Sequence, residues 1–359
     1  MAWETTDDPL TGDLMANTGQ RFLVFPQGGD EVSLENTKWP IPKVDVVLFP
    51  NFFEEISSQR YLFSNFNFSR GMGNQLFQVA SLLELAKQND ATLVLPTTLL
   101  LRRAFSFHDV VYLDDQNYRQ AIDRISHSEE LKAKVKLFTK SNLQILNGYF
   151  QNLRYFHPHS QRETRRRLSW LEPVKNLAVE FLENVNLRQV VDSAKRLDEG
   201  MDTDQALEAD PNAESTVIVG IHVRRGFDVV YNERNVRHGH ATAPLDYYQH
   251  AIDKATADHS KVAFVICSDN MAWARKNLKF VKGVGSFWCP GPREVDMAIL
   301  GMCDELVLST GTFSWWSAYL NVNSQLKARY YAGWPKKGSI LDKMINKTEF
   351  FLPDWTAMT

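Results

Sequence analysis

The stretch VGIHVRRGFDVVYNERN, residues 219–235, ends an apolar run on a histidine and two adjacent arginines. On a strand, His222 and Arg224 share one face while Val223 and Arg225 point the other way. Two neighbouring cations at a strand's carboxyl end call for an anion. One guanidinium can fork onto a phosphate or diphosphate, and the other can brace the site through scaffold carboxylates. Asp228 and Glu233 follow on the loop, within reach of the same ligand. The alternative is a structural Arg–Asp network with no ligand at all.

Two later loops repeat this placement. In VICSDN, Asp269 falls just past an apolar strand, as an acceptor for a base or ribose or as the N-cap of the next helix. In STGTFSWWSAYL, Ser309, Thr310, Thr312 and Ser314 offer hydroxyls beside a helix N-terminus, and the Trp315–Trp316 pair reads as core. Arg, Asp and Ser/Thr on three consecutive strand-end loops describe a nucleotide-diphosphate site. Earlier in the chain, GMGNQ sets Gly71 and Gly73 where a strand turns into a helix, with Asn74 as cap or ligand contact. Taken alone it is an anion-binding turn or a plain tight turn, since the third glycine of a dinucleotide fingerprint is missing.

Metal chemistry finds little footing, because no His/Cys/Asp cluster has ligand spacing. Asp202 and Asp204 imitate a metal-binding D-x-D, but they sit in an acidic stretch with no strand before them. RETRRRL, with Arg165 to Arg167, reads as a solvated helix face.

The elements that must position these residues fall into two α/β series. RYLFSNFNF, the helix after GMGNQ and ATLVLP form a βαβ unit. Residues 100–195 read as mostly helical, with LSWLEPVKNLAVEFLENV the clearest amphipathic segment. The acidic stretch near residues 196–216 marks a domain boundary. Beyond it TVIVGIHV, KVAFVICS, DELVLST and ARYYAGWP read as strands alternating with helices. The expected architecture is α/β, with residues 1–45 an irregular lead-in, 46–205 an amino-terminal α/β domain and 214–359 a carboxyl-terminal Rossmann-like domain. Two such sheets facing a cleft bind ligands beyond their strands' carboxyl ends.

The chain has 359 residues and a formal net charge of -3. That balance supplies no basic excess for nucleic acid. No apolar run reaches the ~18 residues that span a bilayer. The polar first forty residues do not read as a signal peptide, so the chain is expected to be soluble or to have lost an anchor. Of three cysteines, Cys267 lies in an apolar run and reads as a buried free thiol, while Cys289 and Cys303 are left open as a pair. Asn67 and Asn346 begin glycosylation sequons.

Five ordered blocks, NFNFSRGMGNQLFQVASL, GYFQNLRYF, GIHVRRGFD, FVICSDNMAWARKNL and EVDMAILGMCDELVLSTGTFSWWSAYL, resemble the animal galactoside α-1,2-fucosyltransferases of glycosyltransferase family 11. The resemblance runs from about Tyr61 to the end, through YYAGWPKKGS and FLPDW. It implies a GT-B type fold of two Rossmann-like domains, GDP-fucose as donor, no required metal, and inverting transfer of L-fucose to the 2-hydroxyl of a galactose on a glycan. It also implies work in the Golgi lumen, behind an anchor that this chain does not contain.

Carried onto these residues, His222 faces the guanine, Arg224 the β-phosphate, and Arg225 supports it. Asp269 reads guanine or ribose, Thr312 and Ser314 bond the phosphates, and Gly73, Asn74 and Gln75 close on the donor from the other domain. Tyr149, Gln151 and Tyr155 are candidate acceptor contacts, and Asp228, with Glu233 as rival, the base. One departure stands out: the family reads H-x-R-R-G-D, whereas here Phe227 separates Gly226 from Asp228. Either the loop bulges to restore the aspartate, or Glu233 takes over. The alternatives are a glycan-binding protein of this kind without turnover, and a fucosyltransferase of another linkage or acceptor.

Overall fold

The computed structural model describes residues 38–46, 59–66, 71–127, 138, 142–156, 161–197, 216–321, 323 and 325–359. The chain divides into two compact units, Met1–Ser169 and Trp170–Thr359.

The first unit is built on β1 (Arg60–Phe63), α1 (Met72–Gln88), β2 (Ala91–Pro96), β3 (Phe105–Phe107), β4 (Val110–Leu113), α2 (Asp115–His127), β5 (Leu143–Ile145), α3 (Gln161–Arg167) and β6 (Leu168–Trp170). Four strands form a parallel sheet in the order β4-β2-β1-β5, and β3 pairs with β6. The short strands β3 to β6 punctuate the stretch from 100 to 195, whose described residues are otherwise mainly helical, as expected. At three or four residues each, they are too short for an alternation pattern to stand out.

The second unit opens with the long helix α4 (Glu172–Leu197), followed by β7 (Val217–Val223), α5 (Phe227–Val230), α6 (Glu233–His238), α7 (Leu245–Asp258), β8 (Val262–Ser268), α8 (Met271–Asn277) and β9 (Gly285–Trp288). It closes with α9 (Arg293–Leu300), β10 (Glu305–Leu308), α10 (Phe313–Leu320), β11 (Lys327–Tyr331), α11 (Ile340–Met344), α12 (Lys347–Phe350) and β12 (Thr356–Met358). Helix α4 packs on α9, which is why the chain divides at Ser169 and not in the acidic stretch after Leu197.

Its six-stranded sheet has the order β12-β11-β10-β7-β8-β9, and all five strand pairs are parallel. β7 lies near the middle and is buried along nearly its whole length, as a continuous apolar run requires. Val219, Ile221 and Val223 pack with Phe264 and Ile266 against Tyr247, Tyr248, Ala251 and Ile252 of α7. Each such aliphatic side chain contributes about 1.5–3 kcal/mol by leaving water. Gly220 is required on this strand: a Cβ there would meet Leu306 Cδ2 at 2.7 Å and Cys303 Sγ at 2.9 Å.

From β7 the sheet grows one way through β8 and β9, then the other way from β10. The carboxyl ends of β7 and β10 therefore flank a topological switch point, where ligands of open α/β sheets bind. In the first unit β1 holds the equivalent place, between β2 and β5. Among the described residues no helix is long and apolar enough to cross a membrane.

Candidate functional site

The chain crosses the switch point at Arg224. Its backbone N–H donates to Ser309 Oγ at 2.9 Å, tying the loop after β7 to the loop after β10. Tyr248 Oη lies 2.8 Å from the same hydroxyl, so α7 fixes the crossing from below. The Arg224 side chain reaches two carboxylates: Nη1 pairs with Asp269 Oδ2 and Nη2 with Asp228 Oδ2. Asp269 is almost fully covered, at 3% side-chain exposure, whereas Asp228 is 53% exposed. Burial lowers the Arg224 pKa, and Asp228 opposes that shift.

Asp269 therefore serves the loop rather than the helix after it. Its Oδ1 accepts the Arg225 backbone N–H at 2.6 Å, and the cap of α8 is Asn270, whose Oδ1 accepts from the Trp273 N–H. Both oxygens of Asp269 are thus engaged within the protein, in place of the N-cap role open to it in the sequence. The Gly226 turn is crowded: a Cβ there would meet Arg224 Nη1, Asp269 Oδ2 and Asp228 Oδ1 together.

Arg225 faces away. Its guanidinium carbon lies 3.9 Å from the Trp273 ring centroid, and Nη2 donates to the Ala243 carbonyl at 2.8 Å. An aromatic face and a carbonyl hold it, not the scaffold carboxylates expected for the second arginine.

His222 is 5% exposed and its ring lies 4.9 Å from that of Phe313. Burial, with Arg224 adding repulsion, pulls its pKa down to about 3, so the imidazole is neutral. Its Nδ1 is buried without a hydrogen-bond partner among the described residues. A neutral ring edge suits a polar heterocycle better than a phosphate.

After β10, Ser314 turns inward. It is 1% exposed, and its hydroxyl accepts the Ser309 N–H at 3.1 Å, so that oxygen closes the loop on itself. Thr310 is buried as well, whereas Thr312 stands half-buried at the N-cap of α10, beside Gly311 at φ +86°. Trp315 and Trp316 are core, as expected.

Phe227 begins α5, which places Asp228 in its first turn and four residues from Arg224. Asp228 and Arg224 meet, with Phe227 swung outward at 62% exposure beside Tyr231. Glu233 sits exposed in the first turn of α6, capped by Asn232.

In the first unit, α1 begins at Met72 with Gly71 as N-cap, so Asn74 lies inside the first turn and is not the cap. Asn74 Oδ1 accepts from Gln151 Nε2 at 2.9 Å, and Gln75 Nε2 donates to the Phe66 carbonyl at 3.2 Å. Gly73 and Gln75 are buried. Tyr149 and Tyr155 are half-buried, Tyr155 meeting Phe150 edge-on at 5.7 Å. Asn74 and Gln151, one a donor candidate and the other an acceptor candidate, are thus direct partners. Arg167 is buried and donates to the Leu83 carbonyl, which corrects the solvated reading of RETRRRL for that residue, while Arg166 is exposed as expected.

Cys267 and Cys289 form a disulfide, and Cys303 is the buried free thiol. The register Ile266↔Trp288 continues one step to bring Cys267 opposite Cys289, which corrects the free-thiol reading of Cys267. Among the described residues, Cys267, Cys289 and Asp296 lie close enough together for a metal ion, but the bridge leaves neither sulfur as a thiolate. Burial raises the Asp296 carboxyl to about 7. Asn346 is exposed, and Asn67, Asp202 and Asp204 lie outside the described residues.

Residues 199–359 match the model of glycosyl transferase family 11. The galactoside alpha-(1,2)-fucosyltransferase 2 of Rattus norvegicus is 26% identical over 291 residues, 80% of this chain and 74% of that one. The galactoside 2-alpha-L-fucosyltransferase SEC1 of Bos taurus is 27% identical over 292 residues, 80% and 71% of the two chains. The crystal structure of fucosyltransferase NodZ from Bradyrhizobium is 14% identical over 73% of this chain and 92% of that one, with a TM-score of 0.43.

Proposed function

We propose that the chain, whose residues 199–359 match the model of glycosyl transferase family 11, moves L-fucose from GDP-fucose to the 2-hydroxyl of a galactose on a glycan. The observation that carries the reading is the Arg224 guanidinium at the switch point, held between a buried and an exposed carboxylate.

The diphosphate competes with Asp228 for Nη2 of Arg224, while the buried Asp269 keeps Nη1. Donor binding thereby frees the exposed carboxylate. The bond from fucose C1 to the β-phosphate oxygen breaks, and its electron pair leaves with GDP. Arg224 and the N–H groups at the start of α10 neutralise the charge that develops there. The galactose 2-oxygen attacks C1 from the opposite face, which inverts the centre. Its proton passes to Asp228, with Glu233 as the rival acceptor. His222 takes the guanine edge as a neutral imidazole, Arg225 and Asp269 hold the loop, and Thr312 adds a hydroxyl at the phosphates. In this scheme the charge on GDP is met by protein groups and no metal is needed.

Action in the Golgi lumen belongs to the same reading. The Cys267–Cys289 bridge suits an oxidising compartment, and the exposed Asn346 sequon is open to glycosylation there. The test is GDP release from GDP-fucose with a β-galactoside acceptor, with and without a chelator, followed by NMR assignment of the product linkage. An α-1,2-linked product at an unchanged rate in chelator is expected. GDP-mannose turned over in preference, a different linkage, or no release at all would overturn the reading.

A further inference from the structure

Phe227 and Tyr231 are the two most exposed large hydrophobic side chains among the described residues, at 62% and 69%. They are neighbours, four residues apart at the start and end of the α5 turn. Their ring centroids are 5.4 Å apart and their planes inclined at 39°. Rings in water forgo roughly 2 kcal/mol each of burial. Such a pair beside a binding loop is a surface kept open for an occupant.

The neighbourhood says which occupant. Asp228 follows Phe227 on the same turn, half-exposed, and pairs with Arg224 at the switch point. Beyond it stand Asn232, Glu233 and Asn235, all polar. Two rings of this exposure offer roughly 200–300 Å² of apolar surface. That is far short of the roughly 800 Å² per partner that a stable protein interface needs. It matches one face of one pyranose ring. A galactose carries its axial 4-hydroxyl on one face, which leaves the C–H groups at positions 3, 4 and 5 as a continuous apolar patch on the other. A surface apolar over one ring's width and lined by a carboxylate and amides complements that sugar.

We propose that Phe227 and Tyr231 form the acceptor platform, stacking on the apolar face of the galactose with its hydroxyl edge toward Asp228. The platform rests on the fucosyl-transfer reading, because it names the acceptor subsite of that reaction. It makes Phe227 a specificity-determining residue rather than an interruption of the loop. The platform prefers galactose to its 4-epimer glucose, whose equatorial hydroxyl leaves no such patch.

The test separates binding from turnover. Saturation-transfer NMR with methyl β-galactoside in the presence of GDP reads binding alone, and initial rates read transfer. Because both side chains are exposed, Phe227→Ala, Tyr231→Ala and the double variant are expected to melt with the wild type. The double variant should lose at least tenfold in galactoside affinity and show an acceptor KM at least tenfold higher, with GDP affinity within twofold. Tyr231→Phe, which keeps the ring, should bind the galactoside more tightly than Tyr231→Ala, and methyl β-glucoside should bind more weakly than the galactoside. A double variant with unchanged galactoside affinity overturns the platform, as does wild-type protein that binds no galactoside. Galactoside binding that depends on the two rings without any fucosyl transfer would uphold the platform and overturn the reaction.

Discussion

Ser309 accepts the Arg224 backbone N–H across the gap where β7 and β10 diverge, at 2.9 Å. The bond makes the two strand-end loops one body, and the Tyr248 hydroxyl extends it into the core of the second unit. The first arginine thus leaves the sheet from a fixed point, and its guanidinium direction is set by Asp269.

The two arginines should separate cleanly by substitution. Arg224→Ala is expected to lower GDP affinity about 100-fold and to abolish most transfer, because a charge-assisted fork on the diphosphate is lost. Arg225→Ala removes the contact with the Trp273 ring and should act on stability, by about 1–2 kcal/mol, with a smaller effect on GDP. Calorimetric GDP titration alongside thermal melting distinguishes them. A larger loss of GDP affinity in Arg225→Ala than in Arg224→Ala would reverse the assignment.

Asp228→Asn and Glu233→Gln address the proton. Asp228→Asn should lower kcat at least tenfold, the lower end of a general base's contribution. GDP should bind it as tightly as wild type or tighter, since the competing carboxylate charge on Arg224 is gone. Glu233→Gln should stay within about twofold in kcat, because that carboxylate sits on the following helix, α6. Full activity in both variants would leave neither as the base.

Stability should respond to pH through opposed groups. His222 is held at about 3 against an ordinary 6.5, so as pH falls below 6.5 the unfolded chain takes up the proton first and stability is lost. His240, lowered to about 4 chiefly by burial, acts in the same sense. Asp296 is held at about 7 against 3.8, so the unfolded chain releases its proton first and stability is lost as pH rises from 3.8 to 7. Each group changes the slope by up to about 1.4 kcal/mol per pH unit. Between about pH 4.5 and 6.5, Asp296→Asn should steepen the rise of stability with pH and His222→Asn should flatten it. Urea midpoints measured across that window check both directions.

The disulfide closes a loop of sequence separation 22 between neighbouring parallel strands. Cys289→Ala should cost roughly 3 kcal/mol by restoring freedom to the unfolded chain. Denaturation of wild type and variant under oxidising conditions reads the difference, and equal midpoints would place the bridge outside the stability of this unit.

Much of the second unit could be read directly from the residues, because its strands are continuous apolar runs and its helices are amphipathic. The strand VIVGIHV and the helix LDYYQHAIDKATAD lie where the pattern puts them. What escaped was local. The strand GSFW carries only four residues and no periodicity, so the partner of Cys267 was invisible. Asp269 and Asn270 are both good caps, and only the backbone path decides which one turns to the helix. Ser314 looks like any hydroxyl at a helix start, and its inward rotation depends on a backbone N–H five residues earlier. In the first unit, the Asn74–Gln151 pair joins residues 77 positions apart, which no local pattern reports.

The crowding at Gly226 has a last consequence. Three charged groups converge where its side chain would be, so any larger residue must push apart the contacts of Arg224 with Asp228 and Asp269. One residue later the chain emerges into solvent at Phe227. The loop is therefore split at a single peptide bond into a segment closed to variation and a segment open to it. A descendant of this chain can exchange one sugar preference for another by altering positions 227 and 231, without re-inventing its grip on the leaving group.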